Sequence, residues 1–356
     1  MINDRQARLA YDRHGGRAGE PRRRRDASQH ARCPRPSGRH RQLLIAFIAG
    51  SLLACGGSAK NSTAPRSSAS APATPSTTAA LARPFTVTRR DVVVEDKSRP
   101  TPADPERGLP ALPTRTLPLM VLTPNGPGPF PLLEFSHGLP SSGPEYDFLL
   151  EPIAAAGYVV VAPTFPLTSG GTVAQLNRLA DVVNQPGDVY FAIDAMIQMA
   201  ADPNDALYGR LDAGHLALAG HSVGAGTTVA AVFNTCCRQS RISAAIVLSG
   251  GELAFPNGDY TARPPVPLLI AHGGMDQRLP RDNADKLFAA ATGPTAYVLF
   301  PDGTHSGIIQ GDLGKVTEQA VIAWLDRWLR NDPTGLTQLP AAINASGIAT
   351  LQTRGL

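Results

Sequence analysis

One stretch, residues 216–228 (LALAGHSVGAGTT), limits what this chain can fold into more than any other. It opens with an apolar run of strand length, passes through Gly220-His221-Ser222-Val223-Gly224, and continues in small residues suited to the first turns of a helix. A strand that turns directly into a helix belongs to folds in which the two alternate. The G-x-S-x-G pattern is that of a nucleophile elbow: its serine sits on a tight, strained turn, and side chains at the glycines would collide with neighbouring backbone. The Ser222 hydroxyl is thereby lifted into the open, above a helix N-terminus whose first N–H groups have no partner. So short a pattern also arises by chance as a plain Gly-Ser turn. The strand before it and the helix after it favour the chemical reading.

A chain of 356 residues, 42% hydrophobic and 6% aromatic, can bury one large core without dividing into two folded domains. Its formal net charge of +4 is unevenly spread, since residues 1–54 hold 12 of the 33 basic side chains but only 4 of the 29 acidic ones. The remainder is net acidic, and no nucleic-acid surface is expected there. Residues 1–54 form a leader. Arg39, His40 and Arg41 precede residues 43–54, an uncharged segment of 12 residues that is too short to span a bilayer of about 30 Å comfortably. A positive flank before a short apolar core is a secretory signal. It ends in Leu52-Leu53-Ala54-Cys55, which resembles the bacterial lipobox and makes Cys55 the expected lipid-bearing first residue of an envelope protein. Cleavage near the same point by an ordinary signal peptidase, giving a secreted or periplasmic protein, is the alternative. Residues 55–83, rich in Ser, Thr, Ala and Pro, lack the apolar side chains to offset ordering and are expected to be a disordered tether.

From residue 84 the texture changes. Residues 85–95 and 117–123 have the alternation of antiparallel edge strands, and 130–136, 158–162, 215–219, 242–248, 266–271 and 296–300 are apolar runs of strand length. Helical spacing occupies 146–156, 187–201, 281–291 and 314–329. The alternation predicts an α/β domain over residues 84–330 with a mostly parallel central sheet of about eight strands and helices on both faces. No apolar insertion of lid size interrupts it. Residues 331–356 are small and polar and form a C-terminal tail with no assigned structure. Cys236 and Cys237 are either a vicinal disulfide or buried thiols.

Catalytic groups in such sheets sit beyond the carboxyl ends of the strands. Serine needs a base to take its proton, and that base needs a carboxylate to fix its tautomer. The loop after the 266–271 strand carries Asp276 in HGGMD, and the loop after the 296–300 strand carries His305 in PDGTHS. Alone, each has a bland reading, Asp276 as a turn former and His305 as a solvated loop histidine. Together, in the order Ser222, Asp276, His305 and each at a strand end, they are expected to be a catalytic triad. Asp302 is the second choice of acid, while Asp282 and Asp285 look like helix-start residues. His137 and His272 are expected to buttress turns, and His221 to point away from the hydroxyl. The oxyanion donors would be the backbone N–H groups of Val223 and Leu139. Phe165, Leu167, Tyr146, Phe255 and Tyr260 are candidates to line the pocket; packing is the bland fate of each, as it is for Trp324 and Trp328. No spacing suggests a metal or a nucleotide, so no cofactor is expected.

The runs EFSHGLPSS, GHSVGAG, HGGMD and GTHS, with the triad in that chain order, resemble the α/β-hydrolase superfamily over roughly residues 84–330. The nearest branch is that of platelet-activating-factor acetylhydrolases, dienelactone-hydrolase-related esterases, chlorophyllases and cutinase-like polyester hydrolases. Ser222 stands where dienelactone hydrolases proper have cysteine, and Leu139 where cutinase-like enzymes usually have an aromatic residue. The resemblance implies ester hydrolysis by a serine hydrolase; with the leader, the expectation is an exported monomer acting on a small or polymeric ester. A cutinase- or lipase-like hydrolase of the same fold, or a surface binding protein without turnover, is the alternative.

Overall fold

The protein is described here by a computed structural model covering residues 84–170 and 181–356. The leader, Cys55 and the tether lie outside the described residues. The chain order is β1 (Val87–Asp96), β2 (Arg115–Pro124), β3 (Phe130–Ser136), α1 (Asp147–Ala155), β4 (Val159–Pro163), α2 (Gln185–Ala201), β5 (Leu211–His221), α3 (Val223–Phe233) and β6 (Ile242–Leu248). It continues through β7 (Leu268–Gly273), α4 (Asp282–Ala290), β8 (Thr295–Phe300), α5 (Gly311–Leu329), α6 (Gly335–Ser346) and β9 (Thr350–Arg354).

One nine-stranded sheet has the order β1-β2-β4-β3-β5-β6-β7-β8-β9. The strands from β4 to β8 run parallel, with antiparallel β1 and β2 at one edge and antiparallel β9 at the other. The parallel strands read as continuous apolar runs because both faces are covered. In β6, Ala244, Ile246 and Leu248 face α1, α5 and α6, while Ala245 and Val247 face α2, α3 and α4. Burying each large aliphatic side chain contributes about 1.5–3 kcal/mol.

The sheet, expected at about eight strands, has nine. One expectation is corrected: residues 331–356 are part of the domain rather than a tail. Leu339 and Ile343 of α6 join the core beside Trp324 of α5, and β9 pairs with β8 from Thr295↔Arg354 to Leu299↔Thr350. A polar strand at a sheet edge needs one hydrogen-bonding neighbour and no apolar alternation, so composition hid it.

Candidate active site

The elbow is built by close approach. Ser222 caps α3 at φ 59° and ψ −123°, with its amide donating to the Leu248 carbonyl at the end of β6, 3.0 Å. A Cβ at Gly220 would collide with the Gly224 carbonyl, and one at Gly224 with the Ser136 carbonyl. Only glycine lets β5, α3 and the end of β3 come this near. The reward is position: Ser222 and Val223 stay partly exposed in a turn whose flanks are buried.

The three loops expected to converge do so. His305 Nε2 lies 2.8 Å from Ser222 Oγ, and His305 Nδ1 lies 2.7 Å from Asp276 Oδ2. The other oxygen of Asp276, Oδ1, accepts the Arg278 and Leu279 amides at 2.9 Å each. Asp276 thus performs the turn-forming role and the imidazole-orienting role at once, one per oxygen. Asp302 is exposed and Asp285 pairs with Arg281, so neither competes for His305.

The loop after β3 is held at the Gly138 carbonyl. His137 Nδ1 is 3.0 Å from the Gly138 carbonyl and His137 Nε2 accepts the Phe165 amide at 3.0 Å; the ring is neutral, since burial lowers its pKa to about 4. The Gly138 carbonyl also accepts the Ser141 amide at 2.8 Å. In a planar trans peptide the N–H points opposite the C=O, so holding the Gly138 carbonyl aims the Leu139 N–H the other way. Val223, first in α3, has no intrahelical acceptor for its amide. Leu139 and Val223 both line the cavity of about 470 Å³ that holds Ser222 and His305.

That cavity corrects the expected pocket. Its apolar wall is Leu139, Val223, Leu253 and Leu279, with Glu252, Arg278 and Asn283 around them. Phe165, Leu167, Tyr146 and Phe255 are buried away from it, and Tyr260 donates its hydroxyl to the Leu253 carbonyl at 2.8 Å. Large aromatic side chains in loops at this end went to packing, as Trp324 did in α5. His272 holds the Leu279 carbonyl at 2.9 Å, as a turn buttress should. His221 does point away from the hydroxyl, but it bridges Tyr146 and the base loop, which sequence reasoning missed. Cys236 and Cys237 form a vicinal disulfide. Among the described residues no group of His, Cys, Asp and Glu is arranged to hold a metal, and no helix is long and apolar enough to cross a membrane.

A sheet of this order, a serine at positive φ between strand and helix, and the acid and histidine in later loops match one architecture. This is the α/β-hydrolase fold. Residues 101–250 match the chlorophyllase family, in a span that includes Leu139 and Ser222 and ends before Asp276 and His305. The chain is also 33% identical over 61 residues to the uncharacterized protein YfhR of Salmonella typhimurium, which is 17% of this chain and 21% of that one. The Salmonella typhi protein of the same name matches to the same extent, and that of Escherichia coli is 31% identical over 61 residues, 17% of this chain and 22% of its own. The chain thus spans about a fifth of the length of these relatives.

Proposed function

We propose that this hydrolase is an exported serine esterase that cleaves carboxylic esters through an acyl-enzyme. The observation that carries the reading is the line from the Ser222 hydroxyl through the His305 imidazole to the Asp276 carboxylate, at 2.8 and 2.7 Å, opening on an apolar cavity. His305 Nε2 takes the Ser222 proton as Oγ attacks the ester carbonyl carbon, and the carbonyl electron pair moves to oxygen. The Val223 and Leu139 amides receive that oxyanion, each typically contributing about 3 kcal/mol to the transition state. Collapse breaks the bond to the alcohol oxygen, which takes the proton from imidazolium. A water deprotonated by the same base then attacks the acyl-enzyme, releasing the acid and restoring Ser222. Asp276 keeps the imidazole oriented and stabilises its charged form without taking the proton.

Leu139, Val223, Leu253 and Leu279 suit a compact apolar acyl or alcohol group. The test is hydrolysis of p-nitrophenyl acetate and butyrate by the wild type and by Ser222→Ala. The expected result is a loss on the order of 10³-fold or more in kcat; equal rates would contradict the reading. Export and lipid anchoring at Cys55 rest on the leader sequence, and Cys55→Ser should move the protein from the membrane fraction to the soluble one. An unchanged distribution would remove the anchor.

A further inference from the structure

Behind Ser222 lie two side chains that the proposed reaction does not consume. The Tyr146 hydroxyl is 3.1 Å from the Gly138 amide nitrogen and 2.8 Å from His221 Nδ1, and His221 Nε2 is 3.1 Å from the His305 carbonyl oxygen. Chemistry at each end fixes the protons between. A carbonyl only accepts, so Nε2 carries a hydrogen. His221 is buried and its pKa is lowered to about 4, so the ring is neutral and Nδ1 accepts. The Tyr146 hydroxyl, kept protonated by burial with its pKa pushed up to about 12, donates to Nδ1 and accepts from Gly138. The outcome is one directed chain, from the Gly138 N–H through the Tyr146 O–H and the His221 imidazole to the His305 carbonyl.

We propose that Tyr146 and His221 are positioning residues whose hydrogen-bonded chain locks the oxyanion loop and the base loop to each other through the residue that precedes the nucleophile. The proposal rests on the esterase reading above. Its two ends are distant in sequence: Gly138 adjoins the Leu139 donor, and the His305 carbonyl belongs to the base itself. No β-strand ladder joins these loops, so some other contact must set their spacing. Packing leaves the chain little slack. The His221 ring lies 5.0 Å from that of His305 and 5.7 Å from that of Tyr146, which in turn packs 4.8 Å from Phe135. A Cβ at Gly138 would sit 3.0 Å from Ser222 Cβ, 3.1 Å from the Tyr146 hydroxyl and 3.3 Å from His221 Nδ1, so glycine here admits both partners.

The test is a double-mutant cycle on the full chain with p-nitrophenyl acetate, after wild-type turnover has been shown to need Ser222. Tyr146→Phe and His221→Phe keep rings and remove links; His221→Gln keeps a side-chain amide that can donate to the His305 carbonyl. Each Phe variant should lower kcat about tenfold, the size expected for one broken hydrogen bond in a site, with KM within about twofold. The double variant should be no slower than the slower single, because one broken link already uncouples the loops. His221→Gln should recover part of the loss. Losses that multiply to about a hundredfold, or a lowered Tm with unchanged kcat, would overturn the proposal. Wild-type nitrogen NMR supplies a readout that needs no variant: His221 should hold the neutral, Nε2-protonated form from pH 8 to pH 5. A Nδ1-protonated or charged ring would overturn the chain of bonds. Wild-type activity that survives Ser222→Ala would remove the esterase reading instead, and the ring measurement would still judge the chain.

Discussion

At Ser222 the backbone occupies φ 59° and ψ −123°, a conformation that costs an L-residue about 1–3 kcal/mol and is held by the surrounding packing. The same density that holds it also buries two neutral imidazoles. His137 and His221 both have pKa values lowered by burial to about 4, against about 6.5 in an unfolded chain. Between those values the unfolded state binds more protons than the folded one, so stability falls as pH drops from about 6.5 toward 4 and is fully present above 6.5. Each ring would contribute roughly 3 kcal/mol over that window. Glu134, fully buried with one oxygen bonded to Ser136 Oγ at 2.9 Å, works in the opposite sense. Its raised pKa contributes full stability below the unfolded carboxylate value and less as pH climbs. Urea unfolding at pH 7 and pH 5 should show the acid-side loss in the wild type and a smaller one in His221→Phe. An acid-side change of the same size in wild type and His221→Phe would contradict the neutral His221 ring.

At the scale of elements, the sheet interior and its edge were legible to different degrees. β3 and β6 stand at the bounds read from sequence because both of their faces are buried and Gly, Pro or polar residues close them. The elbow strand is longer than expected because Leu211 and Asp212 also pair with β3, at Phe130 and Pro131, before a bulge that skips residues 213–215. β9, TLQTR, has no apolar face to announce it; its place is set by the ladder to β8 and by Arg354, which donates to the Phe288 carbonyl at 2.8 Å and to that of Ala291. A variant ending at residue 346 should therefore expose the β8 edge, lower Tm by several degrees and favour association between chains. Unchanged Tm and a monodisperse solution would show β9 to be dispensable. The site followed the same logic. Ser222, Asp276 and His305 were legible because each ends a strand in a short loop. The Tyr146–His221 contact was not, because only the folded sheet brings residues 75 positions apart together.

For the molecule as a whole, the proposed esterase requires one serine to be chemically unlike the others. Among the described residues, Ser222 alone stands beside a histidine bonded to a carboxylate, at the mouth of an apolar cavity of about 470 Å³. A fluorophosphonate, which phosphonylates only activated serines, tests this without assuming a substrate. Mass spectrometry of the treated wild type should show one adduct per chain, on the peptide that contains Ser222, with labelling slowed at least a hundredfold in His305→Ala. An unlabelled protein, or an adduct on a different residue, would contradict the account.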